Sequence, residues 1–195
     1  QVIDAAMTDG SSLLMTMMYS MHKSGFWNLE RQTNLLDGAA HFYDTYECKD
    51  GKYISLGSIE PQFYALLCEK AELSQDDFGD QMKRDTWEHK KNLLKEVFLN
   101  KTRDEWCEIM EGSDVCFAPV LDMSEAPSHP HNVARKTFIE IEGVMQPAPA
   151  PRFDRTENEV LLPPALAGEH SKEILESLGM DEIEITRLLD SGSIA

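Results

Sequence analysis

An Asp-Gly pair set between two short, aromatic-rich alternating runs constrains this chain more than any other feature. Residues 41–48 carry Phe42, Tyr43 and Tyr46, the corner is Lys49-Asp50-Gly51-Lys52, and Tyr53-Ile54-Ser55-Leu56-Gly57-Ser58-Ile59 follows. Asp-Gly accepts the positive φ of a tight hairpin turn, so two antiparallel strands are predicted here. Pro61 comes next. Its fixed φ and missing N–H suit the first residue of a helix, which leaves Glu60 at the junction of strand and helix.

The flanking segments read as helix, strand and connector. Ile3, Met7, Leu14, Met17, Met18 and Met21 fall at helical spacing over 2–21, with Gly10-Ser11-Ser12 as a soft point. Residues 22–40 read as irregular and end in Leu35-Leu36-Asp37-Gly38. Asp85-Thr86-Trp87-Glu88 predicts a capped helix to about Leu99, and Thr102-Arg103-Asp104-Glu105 another through about Met110, stopped by Gly112. Val115–Val120 reads as a strand, 122–136 as a loop with a short helix, and 138–141 as a strand. Five prolines make 146–164 an extended connector. Glu169–Leu178 and Asp181–Asp190 read as two short helices parted by Gly179.

The fold expected is α+β. A helical linker (1–40) leads into a small α/β module with a hairpin (41–121). A returning connector (122–168) and a helical tail (169–195) follow. Gln1–Met7 already has the pattern of a helix interior with no cap before it. The chain is therefore expected to belong to a longer protein, with the tail docking on a domain outside it.

Charge narrows the function. Asp+Glu number 35 against 18 Lys+Arg, a net charge of −17. Acids outnumber bases 8 to 4 over 1–60, 17 to 10 over 61–150 and 10 to 4 over 151–195, so no basic domain hides in the average. The densest basic stretch, Lys83 to Lys95, interleaves with Asp85, Glu88 and Glu96 and reads as a solvated helix face. Nucleic acid is not an expected partner. With 42% hydrophobic and 27% charged residues the chain is too apolar for disorder. No signal peptide is visible, and Leu13–Tyr19 is too short to span a bilayer. The expected compartment is the cytoplasm, or the peroxisome or mitochondrion in a eukaryote, although Gly192-Ser193-Ile194-Ala195 is not a peroxisomal tripeptide.

Most chemical signatures are absent: there is no GxGxxG, P-loop, GxSxG or HExxH. Cys48, Cys68, Cys107 and Cys116 form no CxxC and read as buried thiols in a reducing compartment. Pro130 splays His129 and His131, so no metal site is expected. Glu60 is the most informative ionisable residue. A carboxylate is favoured at a helix N-terminus. There it is either a cap without chemistry or a fixed charge that could orient a histidine. The five methionines between Met7 and Met21 either fill a core or form a pliable surface for variable acyl chains.

Several motifs together carry a family resemblance. Asn34-Leu35-Leu36-Asp37-Gly38-Ala39, Phe42-Tyr43-Asp44-Thr45-Tyr46-Glu47, Asp50-Gly51-Lys52-Tyr53 and Gly57-Ser58-Ile59-Glu60-Pro61-Gln62-Phe63-Tyr64 resemble the α-methylacyl-CoA racemases of the family III CoA-transferase group. Asp114-Val115-Cys116, Pro149-Ala150-Pro151-Arg152-Phe153 and Gly168-Glu169-His170 extend the likeness along the chain, as the C-terminal half of such a protein. His41 is a departure, standing beside the expected site where these racemases usually carry Pro.

The resemblance implies an interlocked homodimer and 1,1-proton transfer at the carbon α to a CoA thioester. It implies no cofactor beyond that substrate. The acting His and Asp, and most CoA contacts, would lie in the N-terminal half of the parent protein. In this half, Glu60 matches the glutamate that hydrogen-bonds the acting histidine and is the candidate catalytic-site residue. Met17, Met21, Leu36, Tyr43 and Ile59 match positions around the acyl chain. Two alternatives stand beside this reading: a family III CoA-transferase, and a non-catalytic dimerisation or acyl-binding module.

Overall fold

The computed structural model describes residues 1–156, 158, 160 and 162–194. It divides into two compact units, 1–121 and 122–195. Expectations that touch Glu157, Glu159 and Leu161 in the connector, or Ala195, lie outside the described residues.

In the first unit the hairpin forms as predicted, with shorter strands. β1 (Thr45–Glu47) and β2 (Tyr53–Leu56) are antiparallel, with Tyr46 opposite Ile54. Gly51 takes φ +74° at the turn, and its N–H donates to Cys48 O at 2.9 Å. β3 (Phe117–Val120) pairs antiparallel with the other side of β2 and sets Pro119 opposite Ile54. β3 is an edge strand, where a missing N–H is tolerated.

Pro61 opens α3 (Pro61–Lys70), and a single turn, α4 (Gln75–Phe78), follows. α5 (Trp87–Phe98) buries Trp87, Lys90, Leu94 and Phe98, and α6 (Arg103–Met110) buries Arg103, Trp106 and Met110. Both series follow the three-to-four-residue period of one helix face. These faces and α3 close on the sheet around Phe42, Tyr46, Ile54, Leu67 and Val115. Aromatic edges lock the packing, with Phe98 and Trp106 4.9 Å apart and Phe42 and Trp87 5.7 Å apart.

The two predicted capping boxes part company. Thr102 and Glu105 form theirs reciprocally. The Asp85–Glu88 box does not form, because residues 84–86 make a 3-10 turn, the N-cap of α5 falls on Thr86 instead of Asp85, and the Thr86 hydroxyl donates backward to Lys83 O at 2.7 Å.

The predicted helix over 2–21 is corrected as well. Residues 1–6 are not helical, and Ala6 caps α1 (Met7–Leu14) in extended conformation. The break before α2 (Thr16–Lys23) falls at Met15, not at Gly10, with Met15 N–H donating to Ser12 O at 3.1 Å. Neither helix buries a residue.

The second unit holds α7 (Pro130–Arg135), then β4 (Phe138–Ile141) and β5 (Val144–Pro147) as a second hairpin. β5 occupies the start of the expected connector. Glu142 and Gly143 both adopt positive φ, at +48° and +80°, the requirement of a two-residue turn whose twist suits a hairpin. α8 (Ser171–Ser177) and α9 (Glu182–Asp190) form the expected tail helices, with Gly179 at φ +86° between them. Among the described residues no helix is long and apolar enough to cross a membrane.

Candidate functional site

Backbone hydrogen bonds continue the β1–β2 ladder past the last strand residue and deliver Glu60. Leu56 N–H donates to Asp44 O at 2.9 Å, Gly57 N–H to Cys116 O at 2.8 Å, and Ser58 N–H to Phe42 O at 3.0 Å. The buried Ser58 hydroxyl donates to Val115 O at 2.5 Å. Residue 60 is then the N-cap of α3, with φ −70° and ψ 142°, and its carboxylate makes no capping hydrogen bond to the helix amides. The side chain is exposed. Glu60 therefore sits on a fixed backbone with its charge uncommitted to the helix it precedes.

The first unit holds a cleft of about 520 Å³, lined by Leu36, Asp37, Tyr43, Asp44, Leu56, Gly57, Cys116 and Phe117 among others; Glu60 is not a lining residue but follows the lining Gly57 by three residues. A Cβ at Gly57 would stand 3.8 Å from both Tyr43 and the Cys116 Cβ, so those two side chains flank the floor. The Cys116 thiol is exposed, correcting the expectation that all four cysteines are buried; Cys48 and Cys68 are. Burial, and after it the Glu60 carboxylate, pushes the Cys116 thiol up from its ordinary range.

The wall carrying Leu36 is stapled by side chains. Buried Asn34 accepts from Asn28 N–H at 2.7 Å and donates to Asp37 Oδ2 at 2.7 Å, while Asp37 Oδ1 accepts from Asn34 N–H at 2.8 Å. Burial would raise the Asp37 carboxyl, but hydrogen bonds from Asn34, Thr33 and Gln32 together outweigh it and hold the group below its usual range. Lys91 of α5 donates to Gly38 O and pairs with Asp44, tying two parts of the rim together.

The candidate site residues are distributed unevenly. Leu36 and Tyr43 line the cleft together, and Ile59, half-buried, packs on the core beside it. Met17 is 58% exposed and Met21 half-buried on α2, and neither is a lining residue. His41, expected beside the site, is turned fully into the core. Tyr64 Oη donates to Phe78 O at 2.9 Å, so His41 Nε2 carries the proton and donates to Tyr64 Oη at 2.8 Å. His41 Nδ1 is buried with no partner among the described residues. Burial, and secondarily the Lys90 ammonium, depresses the ring pKa to about 3. Among the described residues no three His, Cys, Asp or Glu side chains are placed to hold a metal ion.

Sequence reasoning missed Cys116 as a lining residue, the Asn34–Asp37 staple and Gln81, described below. Asn-x-x-Asp is the spacing of a local side-chain-to-backbone turn and could have signalled the staple.

Residues 1–171 match the profile of CoA-transferase family III, and the chain belongs to that family. Among its relatives are the α-methylacyl-CoA racemases of Mus musculus and Homo sapiens. The first is 39% identical over 193 residues and the second 40% over 197, each across 96% of this chain and 50% of the relative. The chain thus spans about half the length of these curated relatives. A succinyl-CoA:glutarate CoA-transferase of Homo sapiens is 28% identical over 78% of the chain and 37% of its own length. In fold the chain is similar to the crystal structure of Rv3272 from M. tuberculosis, with a TM-score of 0.63 at 18% identity over 88% of this chain and 45% of that one.

Proposed function

We propose that this chain is the C-terminal portion of an enzyme that epimerises 2-methylacyl-CoA thioesters, to which it contributes Glu60 and an acyl-binding surface. The observation that carries the reading is Glu60: an exposed carboxylate on a clamped backbone, three residues after the cleft-lining Gly57, that makes no side-chain cap. The 39–40% identity to proteins called α-methylacyl-CoA racemase supports racemisation over CoA transfer, for which the match is weaker and shorter.

The chemistry follows from the thioester, whose carbonyl acidifies the α-carbon. One base breaks the Cα–H bond on one face and leaves an enolate; a proton returned to the other face inverts the centre. Such a step needs two groups of near-neutral pKa on opposite sides of one carbon. By resemblance these are a His and an Asp in the N-terminal half of the protein, and Glu60 accepts a hydrogen bond from that His. The negative Glu60 stabilises the imidazolium formed when the His takes the proton and fixes the ring's orientation. Leu36, Tyr43 and Ile59 form the acyl surface, with Met17 and Met21 joining it in the assembled protein. The exposed apolar side chains of α1 and α2 support self-association as a homodimer. No metal or cofactor takes part, so activity is expected to survive dialysis against a chelator.

A CoA-transferase is the second reading, favoured by the family profile itself. The test follows α-deuterium in a 2-methylacyl-CoA, with a free carboxylic acid present as acceptor, and light scattering on the same samples. The complete protein is expected to wash out the label without moving CoA, and to be dimeric. This chain alone is expected to self-associate and exchange nothing. CoA transfer without α-exchange would favour the transferase, and robust exchange by the isolated chain would overturn the division of labour.

A further inference from the structure

Buried Gln81 has no part in the reading so far, although it holds the backbone immediately before Glu60. It lies between α4 and α5 and is 9% exposed. Its side-chain amide donates to two successive carbonyls, Ser58 O and Ile59 O, at 2.9 Å each. One NH₂ group has two hydrogens, so both are spent on the residues that lead into Glu60. Gln81 is itself fixed from behind. The Trp87 indole N–H donates to Gln81 O at 2.8 Å, and the Lys90 ammonium donates to Asp80 O. Both donors are buried on one face of α5.

The hydrogen bonds form a continuous connection. α5 fixes the backbone of 80–81, the Gln81 amide fixes the carbonyls of Ser58 and Ile59, and Glu60 follows. From the other side Ser58 is held by Phe42 O and Val115 O. Without the amide, the carbonyls of Ser58 and Ile59 lose these donors, and the 58–60 backbone keeps the Ser58 bonds before it and the Tyr64 N–H after it. On the α3 side, Tyr64 N–H holds the Glu60 carbonyl at 3.0 Å, but the Glu60 side chain caps no helix amide.

We propose that Gln81 is a positioning residue for the reaction: it acts through Glu60 by fixing where that carboxylate stands, without touching substrate. This rests on the reading of Glu60 given above. A buried hydrogen-bonding group with only a structural role would lower stability and leave turnover alone. A positioning group lowers kcat with KM little changed, because displacement of a reacting group by an ångström is felt in the transition state.

The experiment uses the complete protein carrying the upstream half. Gln81→Met keeps length and volume and removes both donors. It is expected to lower kcat roughly 10- to 100-fold with KM within about threefold. In a Glu60→Gln background the same change is expected to reduce kcat by less than about twofold more, since the path it acts through is already cut, while its effect on melting temperature persists. Gln81→Asn, one methylene shorter, keeps a polar amide should Met prove too disruptive, and is expected to show the same split. A folded Gln81 variant with wild-type kcat, or a loss that multiplies fully with Glu60→Gln, overturns the proposal. If Glu60→Gln alone turns over normally, the reading of Glu60 falls and the role of Gln81 with it. If Glu60→Gln is impaired and Gln81→Met is not, only the role of Gln81 falls.

Discussion

The N-terminal helices and the module they lead into use apolar residues to opposite effect. α1 and α2 leave Met7 90%, Leu14 85% and Tyr19 71% exposed, whereas Phe42, Ile54, Leu94, Phe98 and Met110 are fully buried. Spacing alone does not explain the difference, because both regions place apolar side chains at helical intervals. The module has a three-stranded sheet for its helices to close on, and α1 and α2, at eight residues each, bury no residue among the described residues. Helices this short take their stability from packing, not from propensity. The candidate site follows the same division: its fixed parts belong to the module, and its methionines sit on the segment that lacks cover.

Paired core and surface substitutions break this comparison most sharply. Leu94→Ala is expected to cost about 2–5 kcal/mol in urea unfolding, the sum of lost transfer energy and a cavity. Leu14→Ala in the isolated chain is expected to stay within about 0.5 kcal/mol. Equal costs would show that α1 is packed after all. In the complete protein the proposed assembly requires the Leu14→Ala cost to rise.

A smaller effect belongs to pH and to the module alone. His41 is neutral in the fold down to about pH 3, while an unfolded histidine titrates near 6.5. Between those values the unfolded chain binds one more proton than the folded one, so stability rises with pH. The His41 contribution is complete above about pH 6.5 and is lost as pH falls toward 3. At pH 5 the loss amounts to about 2 kcal/mol. His41→Gln is expected to remove this component of the slope. The groups facing the ring are Tyr64, whose hydroxyl it donates to, and Lys90, whose charge opposes its protonation. An unchanged pH dependence in the variant would assign the slope to other groups.

Much of the module was legible in sequence because its signals are local. Asp50-Gly51 fixed the hairpin, Pro61 the start of α3, and Thr102 with Glu105 the start of α6. The Asp85–Glu88 box failed because the same residue types also serve a 3-10 turn, and nothing within four residues decides between them. β5 was missed because Glu142-Gly143 lacks the usual Asn-Gly or Asp-Gly pair and the strand runs into Pro147. Of the candidate site, Leu36, Tyr43 and Glu60 were legible as a group only through the family resemblance. Cys116 and Gln81 were not, since each reaches the site through contacts more than 20 residues distant in sequence. His41 shows the opposite limit: the family resemblance put it beside the site, but its side chain is buried in the core.

The central claim is that Glu60 serves chemistry and not the helix it precedes. Glu60→Gln in the complete protein keeps the shape and removes the charge, and one sample yields both an α-deuterium exchange rate and a melting temperature. A charge-assisted hydrogen bond contributes about 1.5–3 kcal/mol, so a loss of roughly 10- to 150-fold in exchange rate is expected, with the melting temperature nearly unchanged. Normal exchange with a lowered melting temperature would contradict the account and return Glu60 to a capping role.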